Sequence, residues 1–101
     1  MNRSSALSNG DMRQTISIIV KGKVQGVYYR QGTREKAGSL GITGYVQNMP
    51  DHSVYICATG TRVQLDALVS WCRVGPSRAI VTEVVTAEEP FQSFDMFIIQ
   101  R

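Results

Sequence analysis

Apolar positions change their period along the chain, and the changes mark out a small set of elements. Ile16, Ile18 and Val20 alternate with Ser17, Ile19 and Lys21, which predicts a strand. From Tyr29, the positions Thr33, Ala37 and Leu40 recur at steps of four, four and three, the stripe of an amphipathic helix. Gly41 follows as a residue that can end the helix in the left-handed region. Residues 45–48 read as a second strand, and Met49-Pro50-Asp51-His52 as a turn in which Pro50 presets φ. Val54, Ile56 and Ala58 alternate as a third strand. Thr61 is placed to cap a second helix with Leu65, Leu68, Val69 and Cys72 on one face, stopped by Gly75-Pro76. Residues 79–86 alternate again, and after a polar loop residues 97–100 close the sheet.

The order is βαββαβ with a short final strand. That split-βαβ pattern predicts an α+β, ferredoxin-like sandwich: an antiparallel sheet with both helices on one face. Many unrelated functions use this arrangement, so topology does not choose among them. A length of 101 residues fits one domain with a core large enough to fold without disulfides or metal. Residues 1–13 read as a flexible polar leader lacking the apolar stretch of a secretory signal, and 14–101 as the domain. No apolar run reaches the eighteen or so residues of a membrane span. Cys57 and Cys72 are predicted to face opposite ways, and His52 is the one histidine. Neither a disulfide nor a metal site is expected, and two free thiols suit the cytoplasm.

Charge changes the picture. Eleven Lys+Arg against eight Asp+Glu give a net +3. Between Lys21 and Lys36 lie Lys21, Lys23, Arg30, Arg34 and Lys36 against Glu35 alone, a net +4, so the rest of the chain nets −1. An anion is to be sought in this stretch.

Within it, Gly22-Lys23-Val24-Gln25-Gly26-Val27-Tyr28-Tyr29-Arg30 joins a strand to a helix start. The first N–H groups of a helix have no partner within it, and glycines let such groups converge into an anion-binding nest. The segment is neither a Walker loop nor a dinucleotide fingerprint. Residues 25–30 contain no Ser, Thr, Asp or Asn to cap the helix. Arg30 in the first turn also opposes the helix dipole, at a cost of roughly 0.3–1 kcal/mol. A bound oxyanion would resolve both, and the planar guanidinium suits phosphate. A hydrated loop beside an exposed arginine would explain the same residues.

The run from Val20 through Arg30 closely resembles the first signature of the acylphosphatase family. Gly44-Tyr45-Val46-Gln47-Asn48, with Val54 and Gly60 beyond, resembles the second. Leu68, Trp71, Gly75-Pro76, Ala79, Val81 and Val84 echo the family's later segment, and Phe94, Phe97 and Ile99 its ending. The resemblance runs from about Thr15 to Arg101. There are two departures: His52 stands where the family usually has Gly, and Tyr29 where Phe is commoner.

The resemblance implies hydrolysis of the carboxyl–phosphate bond of acyl phosphates, giving a carboxylate and inorganic phosphate, without metal or cofactor. It maps the functional arginine onto Arg30 and the functional asparagine onto Asn48. The phosphate cradle maps onto the backbone of Gln25, Gly26, Val27, Tyr28, Tyr29 and Arg30. An asparagine amide can orient a water but cannot act as a base at neutral pH. Asp51 reads as a turn residue, because a carboxylate would repel a phosphoryl dianion. Thr33 is expected to support the loop by a hydrogen bond, Trp71 to cover the core's edge, and the other basic residues to form a solvated face. A nucleic-acid-binding module on the same sandwich would need exposed aromatics on central strands. Only Tyr55 is a candidate, so that partner is not expected. A catalytically silent anion-binding domain is the other alternative. No apolar stripe is left over for a dimer, so a monomer is expected.

Overall fold

Alternation over residues 16–21 belongs to a longer strand. The computed structural model describes residues 12–101, so the first eleven residues assigned to a leader lie outside the described residues. β1 covers Arg13–Lys23, α1 Tyr29–Leu40, β2 Thr43–Asn48, β3 Val54–Thr61, α2 Arg62–Cys72, β4 Ile80–Glu89 and β5 Phe97–Ile99. Strand β1 therefore begins at Arg13, inside the stretch read as leader. There the guanidinium donates to the Thr59 carbonyl and to Thr43 Oγ1 at 3.4 Å each.

The five strands lie in the order β4-β1-β3-β2-β5. The pairings β1–β3, β1–β4 and β2–β3 are antiparallel, as the ferredoxin-like pattern requires. The last differs from an all-antiparallel sheet: β5 runs parallel to β2, with Val46 opposite Ile99. A parallel partner needs a crossover rather than a hairpin. The whole α2–β4 passage provides it; residues 97–100 read as a strand in the sequence, but three residues carry no sign of its direction.

Both helices pack on one face, where Ile18, Val20, Val46, Val54, Ile56 and Ala58 from the sheet meet Ala37, Leu65, Leu68 and Cys72. Thr61 accepts from Gln64 N–H while the Gln64 side chain accepts from Thr61 N–H, so α2 starts in a reciprocal capping box. On the other face, Thr15 and Thr59 hydroxyls lie 2.6 Å apart and hold Gln92 at both its N–H and carbonyl. Phe94 meets Tyr45 edge-on with ring centres 6.0 Å apart, so the polar loop after β4 covers that face. Cys57 and Cys72 are both buried and unpaired, on opposite faces of the sheet. Burial pushes the Cys72 thiol up to about 12, against smaller lowering effects from the Tyr29 hydroxyl and Arg73. No helix of the described residues is long and apolar enough to cross a membrane.

Tyr29 explains its own departure from phenylalanine. Its ring is buried at the start of α1, tilted 52° to Trp71 with centres 5.4 Å apart. Its hydroxyl donates to the Cys72 carbonyl at 2.7 Å. That carbonyl ends α2, and the residue four further on is Pro76, which has no N–H to offer it. One phenol therefore closes the end of one helix from the start of the other. Burial, with Cys72 beside it, raises the Tyr29 pKa and keeps this donor protonated.

Tyr29→Phe keeps the ring and leaves the carbonyl unpaired. It is expected to lower stability by about 1–2 kcal/mol in urea titrations, with an unchanged denaturant slope.

Candidate active site

Strand register brings the site together. Val54 opens β3 and pairs with Val20 on one side and Asn48 on the other. The loop leaving β1 and the last residue of β2 therefore emerge at the same end of the sheet. At this end β1 carries a bulge: its register against β4 shifts between Lys21 and Gly22. Gly22 has φ 126°, and a β-carbon there would lie 2.1 Å from the Ile80 carbonyl oxygen. Gly22 therefore belongs to the strand's close approach to β4, and Gly26 alone of the two glycines shapes the loop.

Gly26 and Tyr28 both have left-handed φ, 75° and 70°, and Val27 between them does not. The alternation turns Val27 into the core and leaves Gly26 and Tyr28 exposed. Tyr28 occupies the N-cap of α1 without a side-chain cap bond. The first helical bond runs from Gly32 N–H to the Tyr28 carbonyl at 2.9 Å. The N–H groups of Tyr29, Arg30 and Gln31 precede it, at the positive end of the helix dipole. The missing cap read from residues 25–30 is thus a property of the folded helix. Thr33 donates to the Tyr29 carbonyl at 2.8 Å, bonding within its own helix rather than to the loop.

A cavity of about 370 Å³ opens here. Gly26, Tyr28, Tyr29 and Arg30 line it from the loop and helix, and Asn48 from the end of β2. Of the residues expected at the phosphate cradle, Gln25 and Val27 do not line it. Val27 is buried in the core. The Gln25 amide reaches across to donate to the carbonyls of Met49 and Ser53, at 3.0 and 2.8 Å. It ties the loop to the turn that follows Asn48. Asn48 Oδ1 is buried, and among the described residues no group donates to it. Arg30 has no carboxylate partner among the described residues, whose one ion pair is the exposed Arg62–Asp66 at 3.9 Å.

Arg101 and Ile99 also line the cavity, and the sequence reading missed both as site residues. The parallel β2–β5 pairing puts them there: Gln100 N–H donates to the Val46 carbonyl at 2.8 Å, carrying the chain past Asn48. An antiparallel last strand would have sent Arg101 to the far end. Of the other basic residues of the +4 stretch, Lys21, Lys23 and Arg34 are exposed as expected, Lys36 is half-buried beside a neighbouring hollow, and none of them lines the cavity.

The turn after Asn48 answers two expectations. His52 is exposed at φ 74°, a conformation that suits glycine and that histidine tolerates better than most residues. Its N–H donates to the Met49 carbonyl at 3.0 Å, so it completes the turn that glycine would also allow. Asp51 accepts from the N–H and hydroxyl of Ser53. These bonds hold its carboxyl below the usual range, which makes it a turn anchor. A larger open groove of about 580 Å³ lies between α2, β1 and β4. It contains Arg62 and Asp66 but none of the loop's residues, and Thr61 before it pairs with Arg13 at the opposite end of β1.

The family model for acylphosphatase matches residues 16–99. An acylphosphatase from Marinobacter nauticus is 55% identical over 73 residues, covering 72% of this chain and 79% of that protein. One from Acaryochloris marina is 45% identical over 86 residues, covering 85% of this chain and 92% of the relative. The solved structure of an acylphosphatase from Coxiella burnetii is similar with a TM-score of 0.86 at 33% identity, over 89% of this chain and 95% of its own. These matches take in the sheet, both helices and the uncapped loop, and the chain belongs to the acylphosphatase family.

Proposed function

We propose that Arg30, the backbone N–H groups of the loop from Gln25 to Arg30, and Asn48 carry out the acyl phosphate hydrolysis characteristic of this family. Water attacks phosphorus, the phosphorus–oxygen bond to the acyl group breaks, and a carboxylate leaves with the bonding pair. A carboxylate departs without strong acid assistance, so the protein's work is to hold the phosphoryl group and aim the water. The nest and the guanidinium bind the phosphoryl oxygens and respond as charge shifts among them in the transition state. The amide of Asn48 orients the water through its oxygen, and the proton passes to a phosphate oxygen of the substrate. The observation that carries this reading is that Arg30 and Asn48 line one cavity beside the uncapped start of α1.

The same reading takes residues 14–101 as one catalytic domain acting on a small molecule, as a monomer. Tyr55 supports the view that nucleic acid is not its partner. It is half-buried and 6.1 Å from the Tyr45 ring, which is itself covered by Phe94, so the sheet offers no open stacking platform. The two unpaired, buried thiols suit a cytoplasmic protein.

Arg30→Lys is expected to lower kcat for benzoyl phosphate by about a hundredfold to a thousandfold, with the urea midpoint retained. Asn48→Ala is expected to reduce kcat far more than it weakens competitive inhibition by inorganic phosphate. Unchanged turnover in both variants would contradict these roles. Gln25→Leu removes the bridge between loop and turn without touching the cavity wall. About a tenfold loss of kcat is expected, because small misplacements of aligned groups are costly. The check is kcat beside amide hydrogen exchange at Met49 and His52, which should quicken as the turn loosens.

A further inference from the structure

Tyr28 is the most exposed large hydrophobic residue among those described, at 80%. It is also held at φ 70° and ψ 16°, a left-handed conformation that residues with a β-carbon rarely adopt. Nothing within the fold accounts for it. Among the described residues its ring stacks on no other ring, and its hydroxyl makes no hydrogen bond; the stacked pairs are Tyr29–Trp71, Tyr45–Tyr55 and Tyr45–Phe94. A glycine would take the same backbone freely and form the same nest.

The ring nevertheless has a definite place. It lines the cavity that holds Arg30 and Asn48, and it borders two neighbouring hollows, one toward Trp71 and Pro76 and one toward Arg78. At about 370 Å³ the cavity falls within the roughly 300–1,000 Å³ of small-molecule sites and is larger than a phosphoryl group needs. The phosphoryl end is accounted for by the nest, Arg30 and Asn48. The rest of the lining is Val24, Tyr28, Gln31, Ile99 and Arg101, with no Asp or Glu among them, and Tyr28 is its most exposed aromatic residue.

We propose that Tyr28 selects the acyl group: its ring is an open wall on which a flat, apolar acyl group lies while the phosphoryl group sits in the nest. This rests on the acyl phosphatase reading above and extends it to a substrate class, acyl phosphates with a planar aromatic or unsaturated acyl group. Tyr28 is a specificity-determining residue, and its contact with the acyl group is made through the ring and not the hydroxyl. Aromatic contacts of this kind have specific offset or edge geometry, which an aliphatic side chain does not reproduce.

The test compares kcat/KM for benzoyl phosphate and acetyl phosphate in the unaltered chain and in Tyr28→Phe, Tyr28→Leu and Tyr28→Gly. Both substrates use the same phosphoryl site, so their ratio cancels any disturbance of the nest. The benzoyl-to-acetyl ratio is expected to fall by about threefold to tenfold in Tyr28→Leu and Tyr28→Gly, chiefly through KM for benzoyl phosphate, and to persist in Tyr28→Phe. Tyr28→Gly suits the backbone at this position and carries the test if Tyr28→Leu does not fold. A ratio unchanged in Tyr28→Gly, or a ratio that falls as far in Tyr28→Phe, would overturn the proposal. Hydrolysis of neither substrate by the unaltered chain would overturn the functional reading and this one with it.

Discussion

Two ladder pairings of Val54, to Val20 in β1 and to Asn48 in β2, hold the site in place. A β-ladder admits no gradual slip: moving either neighbour by one residue turns its whole apolar set to the wrong face. Ile18, Val20, Val46 and Ile56 are all completely buried, so a slipped register would cost several buried side chains at once. The core therefore fixes where β1 ends and its loop begins, and equally where β2 ends in Asn48. The spacing between the loop and Asn48 is set by hydrophobic burial several residues away, and the Gln25 amide joins the loop to the turn after Asn48.

The parts of this arrangement that the residues announce are those built from local sequence. Period-two and helical spacing revealed four strands and both helices, and residues 25–30 announced that the start of α1 has no side-chain cap, without choosing between an anion and a hydrated loop. Resemblance to a family was what singled out Arg30 and Asn48 from an exposed arginine and a turn asparagine. What escaped depends on through-space pairing. The parallel placement of β5, and with it Arg101 and Ile99, rests on three residues of ladder. The Gln25 bridge joins positions more than twenty residues apart and leaves no periodic trace. The Tyr29 hydroxyl acts as a cap for α2 because Pro76 cannot, a connection readable only once both helices are in place.

Strain is unevenly distributed in this small domain. Among the described residues, the two other than glycine with left-handed φ are Tyr28 and His52, one in the loop before α1 and one in the turn after Asn48. Each flanks a functional element, and elsewhere the described backbone reserves positive φ for glycine. Their reasons differ. His52 donates its N–H to close a turn that Asp51 and Ser53 reinforce, so local hydrogen bonds offset its cost. Tyr28 has no such compensation, and a tight packing of its neighbours, Val27 in the core below and Tyr29 against Trp71, is what keeps it there.

The concentration of positive charge between Lys21 and Lys36 turns out to describe the site poorly. Arg30 is the one member of that cluster that reaches the cavity, and the second guanidinium, Arg101, comes from outside it. In the proposed binding mode neutral groups share the work: N–H dipoles at a helix end carry a local field that salt screens little when an anion sits against them. Two arginines and the free N–H groups of a helix start around one cavity hold more concentrated positive potential than the four other, scattered basic side chains of that stretch. A net charge of +3 reflects the solvated face, and the attraction for phosphate arises where the fold aims its backbone.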